Sequence, residues 1–219
     1  MAAQNAAAEG KARSEEASQP EKETWPGRTL TELAKQKCLA QSLMGLYGVH
    51  QATYRSDKHT DGKDISTVQF PYGFWKDGKW TLTAVKVRGG SSHQTFCDIR
   101  TPDKKYAPLP FGFFHPEIFD GCTDLVICEA ESDAITLTVS GFPAIGISGA
   151  QAWHDSFADL PPVKKAEAIF ISCEPGGAGA GFAEAVISGL EDWKKEIWVI
   201  PFPRTAKTPA RCTSSPCGN

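Results

Sequence analysis

Three patterns of hydrophobic and polar residues follow one another along the chain, and each predicts a different kind of structure. Residues 1–27 carry almost no large apolar side chain before Trp25. Such a segment buries too little surface to offset its conformational entropy, so we predict a disordered tail. In residues 29–49 apolar side chains recur at helical spacing, and Thr29 and Glu32 have the spacing of a capping box. This segment is therefore predicted to form one or two short helices.

Residues 64–114 have the composition of β-strands. Three segments are rich in β-branched and aromatic residues: "DISTVQFPYGFW", "KWTLTAVKVRG" and "HQTFCDIR". Residues 76–79 form a turn signal between the first two, which predicts an antiparallel hairpin or meander. Lys86 and Arg88 are two positions apart and so lie on the same face of the second strand. That face is either a solvated outer surface or a phosphate-binding surface.

Residues 124–202 alternate between strands and helices. Four short, nearly all-apolar segments are predicted strands: "DLVICE", "PAIGIS", "AEAIFISCE" and "KEIWVIPF". The predicted helices are "SDAITLTVSG" and "AGAGFAEAVISGLEDW". This alternation predicts a parallel sheet that is covered by helices on both faces. We expect an α/β protein in which residues 28–120 form a small α+β subdomain with helices and antiparallel strands. Residues 121–205 are expected to form the parallel-sheet domain, and residues 206–219 an irregular tail.

Two acids directly follow predicted strands: Glu129 follows the first and Glu174 the third. Ligands bind at the carboxyl ends of the strands in parallel α/β sheets, so these carboxylates are expected at one edge of the sheet. Mg²⁺ binds a small number of carboxylates together with waters and phosphate oxygens. The sequence therefore predicts a divalent-metal site at Glu129 and Glu174. Asp133 either faces this site or stabilises the start of the next helix, where Glu131 is expected to contact the helix dipole. Lys207 lies just beyond the fourth strand.

Composition and charge argue against several other classes of protein. The formal net charge of -3 provides no overall attraction to nucleic acid, so any such contact needs a local basic patch. No apolar run is long enough to cross a bilayer, and the N-terminus lacks the apolar core of a secretory signal. We therefore expect a cytoplasmic protein without a membrane partner. The 7 cysteines include no CxxC pair and the 5 histidines show no zinc-binding spacing, which disfavours a disulfide framework and a zinc site.

Two motifs resemble those of the TOPRIM domain, which occurs in bacterial-type DNA primases and topoisomerases. "LVICEAESDAITL" resembles the first motif, with Glu129 at the position of the catalytic glutamate and Asp133 at that of the following acid. "IFISCEPGGAGAGF" resembles the second, with Glu174 at the first acid position and Gly176 where a second acid is expected. Upstream, "VQFPYGFWKDGKWTLTAVKVRGG" and "PLPFGF" resemble the segment that precedes this domain in primase-like proteins of phages and mobile elements.

The resemblance implies a primase-like nucleotidyltransferase that makes RNA primers on single-stranded DNA during replication. It implies Mg²⁺ or Mn²⁺ as the cofactor, with Glu129 and Glu174 as metal ligands and Asp133 as a third catalytic residue. Three basic residues are implied to contact nucleotide or template: Lys86, Arg88 and Lys207. The implied partners are single-stranded DNA, nucleoside triphosphates and a replicative helicase.

Two alternatives stay open from the sequence. Gly176 removes a carboxylate from the second motif, which favours a module that binds nucleic acid or a replication partner without turnover. The same fold class also supports metal-dependent strand cleavage, so a nuclease is a weaker third hypothesis. A fold alone does not decide among these functions, because unrelated activities recur on the same scaffold.

Overall fold

The computed structural model describes residues 26–90, 95–101, 109–149, 151–193 and 195–201. The tail predicted for residues 206–219 lies outside the described residues, as do Lys207 and all of the predicted N-terminal tail before residue 26. Within the described part, the predicted order of structural classes is confirmed, because helices and an antiparallel sheet precede a parallel sheet. None of the described helices has the length and apolar character needed to span a membrane.

Two short helices open the described chain. Helix α1 spans Leu30–Lys37 and α2 spans Gln41–Leu46. The predicted capping box is confirmed, because the Thr29 side chain accepts a hydrogen bond from the Glu32 backbone while the Glu32 side chain accepts one from the Thr29 backbone. Helix α1 ends where Cys38 adopts a left-handed conformation with φ 51°. The left-handed residue ends α1 directly after Lys37.

The antiparallel sheet contains four strands in the order β1-β2-β3-β4. These strands are β1 His50–Tyr54, β2 Ile65–Lys76, β3 Lys79–Gly90 and β4 Thr95–Arg100. The predicted turn is confirmed, because Lys76 pairs with Lys79 across Asp77 and Gly78, both of which have positive φ. Sequence analysis did not predict β1, whose short polar segment "HQATY" shows only one buried residue.

The parallel sheet has the strand order β6-β5-β7-β8. Its strands are β5 Asp124–Cys128, β6 Ala144–Gly146, β7 Ala168–Cys173 and β8 Glu196–Pro201. Helix α3, Glu131–Val139, connects β5 to β6, and α5, Gly177–Ser188, connects β7 to β8. The connection from β6 to β7 contains a 3₁₀ turn, Asp155–Asp159, and α4, Pro161–Lys165, which the sequence analysis missed.

The two sheets share one hydrophobic core. Buried side chains of the N-terminal part, such as Leu33 and Phe70, belong to the same cluster as Val126 and Ile135 of the parallel-sheet part. Phe111 lies in this cluster, and its backbone forms a two-hydrogen-bond bridge with Gly146 at the end of β6. The N-terminal part therefore packs against one face of the parallel sheet. Helix α5 covers the opposite face.

The expectation that helices cover both faces of the sheet is met in the centre and is wrong at β8. Ile127 and Ile171 of the central strands are fully buried. On β8, by contrast, Trp198 is 55% exposed and Ile200 is 48% exposed. These two residues pair with Phe170 and Ser172, on the face of the sheet opposite α5. On that face, the described residues therefore bury the sheet as far as β7 and leave the side chains of β8 exposed.

Replacing Phe111 by Ala is expected to lower the free energy of unfolding by about 3–5 kcal/mol, because it leaves a cavity where both sheets meet. Urea unfolding followed by circular dichroism measures this loss. Phe142→Ala is the control, since Phe142 is 57% exposed and its loss is expected to change stability by no more than about 0.5 kcal/mol. Equal effects of the two substitutions would contradict the placement of Phe111 in the shared core.

Candidate functional site

The segment that follows β5 carries Glu129 and is fixed by the end of β6. The Gly149 N–H donates to the Glu129 carbonyl at 3.2 Å, and the Ile147 N–H donates to the Cys128 carbonyl at 2.8 Å. Gly146 allows this close contact, because a Cβ atom there would lie 2.9 Å from the Ala130 carbonyl oxygen. The half-buried Glu129 side chain is therefore held at the carboxyl edge of the sheet, as predicted from the topology.

Glu174 follows β7, the strand next to β5, and its side chain is exposed. Helix α5 packs closely behind it. A Cβ atom on Gly179 would lie 1.9 Å from the Glu174 carbonyl oxygen, so only glycine fits there. Gly176 precedes α5 with φ 126°, a conformation that is essentially restricted to glycine. Backbone geometry thus explains Gly176, and packing explains Gly179.

The charges of three acids meet at this edge of the sheet. Burial raises the pKa of Glu129, and the negative charges of Glu174 and Asp133 raise it further, although a hydrogen bond from the Glu174 backbone opposes the shift. Burial also raises the pKa of Asp133; Lys37 opposes this shift, whereas Glu174 adds to it. The charge of Glu174 therefore makes it harder for both Glu129 and Asp133 to ionise.

The environment of Glu129 is suited to a cation. Its Oε2 atom is buried and has no hydrogen-bond partner within the part of the chain that the structure describes. A divalent ion would provide that oxygen with a partner and would neutralise the repulsion among the acids. Among the described residues, no three or more His, Cys, Asp or Glu side chains already form a cluster that could hold a metal. Metal ligation by Glu129 and Glu174 thus stays a prediction.

Lys37 brings a positive charge to the acids, and sequence analysis missed it. It is the last residue of α1 and is partly buried. Burial lowers the pKa of Lys37 and the charge of Arg88 lowers it further, whereas the charges of Asp133, Glu174 and Glu131 raise it. The signal was present in the sequence, because position 37 continues the apolar stripe of α1 that begins with Leu30, Leu33 and Ala34.

Lys86 and Arg88 have different surroundings although both lie on β3. The Lys86 ammonium contacts Glu131 Oε1 at 2.7 Å, and their side chains are only 11% and 2% exposed. The Tyr72 hydroxyl donates to the same oxygen. Burial alone would raise the pKa of Glu131, but the charge and hydrogen bond of Lys86 and the hydrogen bond of Tyr72 together lower it. The predicted contact of Lys86 with nucleotide or template stays untested.

Arg88 is partly buried, and its charge acts on Lys37. Its Nε atom is buried without a hydrogen-bond partner in the described part of the chain. Three predicted site residues, Glu129, Asp133 and Glu174, therefore lie at one edge of the parallel sheet near Lys37, and Arg88 is near enough for its charge to act on Lys37. Lys207, the remaining predicted residue, is outside the described residues.

Comparison with solved structures relates the fold of this chain to that of primase catalytic cores. The chain superposes on the E. coli primase catalytic core with a TM-score of 0.57 and 11% identity, over 80% of this chain and 65% of that one. A DnaG primase catalytic domain bound to ssDNA gives a TM-score of 0.57 and 11% identity, over 79% and 65%. The chain has the fold of a primase catalytic core. Its length corresponds to less than two thirds of each of these two cores.

Two further comparisons extend this result. The Aquifex aeolicus primase structure, which contains the zinc-binding and RNA polymerase domains, matches the primase-core fold of this chain with a TM-score of 0.56 and 15% identity, over 79% of this chain and 49% of that one. Gene 57 protein of Mycobacterium phage D29 is 27% identical over 140 residues, which is 61% of this chain and 81% of that protein. No protein-family model matches. The TOPRIM assignment thus rests on the two sequence motifs.

Replacing Glu129 by Gln is expected to stabilise the metal-free protein at neutral pH. The raised pKa of Glu129 means that its ionised form opposes folding, although solvent screening keeps the gain below about 1 kcal/mol. The gain should shrink as the pH falls through the raised pKa, because the wild-type carboxyl is then protonated in the folded state. Thermal unfolding of both proteins at several pH values, without divalent ions, measures this difference. A lower melting temperature for Glu129→Gln at neutral pH would contradict the repulsion.

Proposed function

We propose that this protein is a metal-dependent, primase-like nucleotidyltransferase that joins nucleoside triphosphates into RNA primers on single-stranded DNA during replication. The observation that carries the proposal is that Glu129 and Glu174 follow neighbouring parallel strands at the carboxyl edge of the sheet, with Asp133 near enough for its charge to act on Glu129. The primase-core fold supports it. Recognition of single-stranded DNA is supported by a structural neighbour that is itself bound to ssDNA.

In this proposal Glu129 and Glu174 hold Mg²⁺ or Mn²⁺, and Asp133 completes the acidic site. The bound ion would neutralise charge on the reacting phosphate, which together with positioning is what phosphoryl transfer chiefly requires. In this proposal Lys37 and Arg88 bind the phosphates of the nucleotide. No nucleophilic side chain is needed, because the attacking group belongs to the growing primer.

The partners follow from the same proposal. Single-stranded DNA and nucleoside triphosphates are the proposed substrates, and a replicative helicase is proposed as a protein partner. We also propose that the protein acts in the cytoplasm. Lys207 is proposed to contact template or nucleotide from the segment that follows β8.

Gly176 favours a second candidate function. This position lacks the acid that the second motif resemblance leads one to expect, and its φ of 126° would strain any acidic residue placed there. A module that binds nucleic acid or a replication partner without turnover is therefore the alternative. A metal-dependent nuclease is a third candidate that shares the same acids.

Both enzymatic candidates require metal binding, so it is the experiment to perform first. Calorimetry with Mg²⁺ and Mn²⁺ is expected to show binding that Glu129→Gln weakens by at least about 100-fold, a loss of about 2.7 kcal/mol. Glu184→Gln is the matched control, because Glu184 lies on an exposed position of α5 and its replacement should leave the affinity unchanged. Absence of metal binding by the wild-type protein, with and without nucleotide, would overturn the enzymatic proposal.

If metal binds, a primer-synthesis assay on single-stranded DNA distinguishes an enzyme from a binding module. Labelled ribonucleotides should be incorporated into short primers by the wild type and not by Glu129→Gln. Cleavage of the template instead of primer synthesis would identify a nuclease. DNA binding without either product would identify the binding module.

Replacing Lys37 or Arg88 by Met is expected to weaken binding of a nucleoside triphosphate by about 10-fold each, because each substitution removes one phosphate-binding charge. Equilibrium dialysis with a labelled nucleotide measures this effect. Lys58→Met is the control, since Lys58 is exposed in the β1–β2 connection. Nucleotide affinities that fall equally for Lys58→Met would show that only the general charge of the protein matters.

A further inference from the structure

Three buried polar side chains connect the antiparallel sheet to the acidic edge of the parallel sheet. Lys86 lies on β3, Tyr72 on β2 and Glu131 at the first position of α3. The ammonium of Lys86 and the hydroxyl of Tyr72 both donate to Oε1 of Glu131. These contacts join residues that are 45 and 59 positions apart in sequence, so they fix the start of α3 relative to the antiparallel sheet.

We propose that Lys86 is a positioning residue that holds the Glu129–Asp133 segment in place through Glu131, and that it does not contact nucleic acid. Glu131 lies midway between Glu129 and Asp133, two of the three acids of the site. The proposal concerns the packing of the protein itself, and only its metal readout rests on the proposed function.

Among the described residues, no side chain caps the start of α3. Its N-cap residue is Ala130, which has no side-chain capping hydrogen bond, so the usual device for fixing a helix start is missing. The buried ion pair with Lys86 takes that place. Since the first turn of α3 carries Asp133 and follows Glu129 directly, a displacement of Glu131 would move both acids.

The burial of Lys86 argues against a contact with phosphate. Its side chain is 11% exposed, and its ammonium already contacts a carboxylate that is almost fully buried. Withdrawing Lys86 to bind a phosphate would leave the Glu131 charge unpaired in the protein interior, which is strongly unfavourable. Lys86 is therefore expected to stay paired with Glu131 when an anionic ligand binds nearby.

A double-substitution comparison tests the pairing. Lys86→Met is expected to lower the urea midpoint of unfolding, because Glu131 loses its counter-charge. Adding Glu131→Gln to Lys86→Met should restore much of that midpoint, since no buried charge is then left unpaired. Lys86→Arg should lie close to the wild type. A double variant that is less stable than Lys86→Met alone would overturn the pairing.

Hydrogen exchange tests the positioning without any metal. The Ala134 amide donates to the Ala130 carbonyl at 3.1 Å in the first turn of α3. In Lys86→Met this amide is expected to exchange at least about 10-fold faster than in the wild type. The matched control is the Ala180 amide, which donates to the Gly176 carbonyl at 3.0 Å in the first turn of α5 and should be unaffected. Equal acceleration at both amides would mean general destabilisation and would contradict a local role.

Two binding measurements complete the test. Lys86→Met is expected to weaken Mn²⁺ binding by about 10-fold, whereas Lys86→Arg should restore it. The salt dependence of binding to a fluorescent oligothymidine should keep the wild-type slope in Lys86→Met, while Arg88→Met should lower it by about 1. A slope that falls for Lys86→Met as it does for Arg88→Met would show a direct phosphate contact and overturn the proposal. If the wild type binds no metal, the enzymatic proposal fails, while the exchange and urea results still decide the role of Lys86.

Discussion

The parallel pairing of β5 with β7 is the constraint on which the candidate site depends. Neighbouring parallel strands end at the same edge of the sheet. Glu129 and Glu174 are therefore brought to one edge although 44 residues lie between them in the sequence. The same geometry makes the negative charges of the acids repel one another. Burial and this repulsion together raise the pKa of Glu129, and such shifts are common at functional sites.

The N-terminal part of the chain provides the positive charges that this edge lacks. Core residues of its helices and of the antiparallel sheet cover one face of the parallel sheet. The same packing brings Lys37 of α1 and Lys86 of β3 to the acids, and Arg88 of β3 to Lys37. The three basic residues have unequal surroundings. Lys86 is paired with Glu131 inside the protein, whereas Lys37 and Arg88 are the residues proposed to bind the phosphates of the nucleotide. The packing of the core therefore also brings the basic and acidic residues of the candidate site together.

Much of this arrangement was predictable, because it depends on local pattern. The capping box at Thr29, the hairpin turn at Asp77 and the strand-ending acids are each encoded within a few residues. The pairing of Lys86 with Glu131 was not predictable, since it depends on how two sheets pack across 45 positions of sequence. Sequence analysis assigned Glu131 to the helix dipole, although the residue is 1% exposed and paired. The edge strand β1 was missed because its alternation is too polar to stand out.

Two glycines without functional groups set the positions of the two strand-end acids. Gly146 makes room for the carbonyl beside Glu129, and Gly179 makes room for the carbonyl of Glu174 itself. A side chain at either position would push the backbone that carries an acid. In a genetic screen for loss of function, substitutions at Gly146 and Gly179 would therefore score like substitutions of catalytic residues. Such alleles are explained by the short distance from a Cβ atom at either glycine to the neighbouring carbonyl oxygen. The glycines themselves carry no functional group that would explain them.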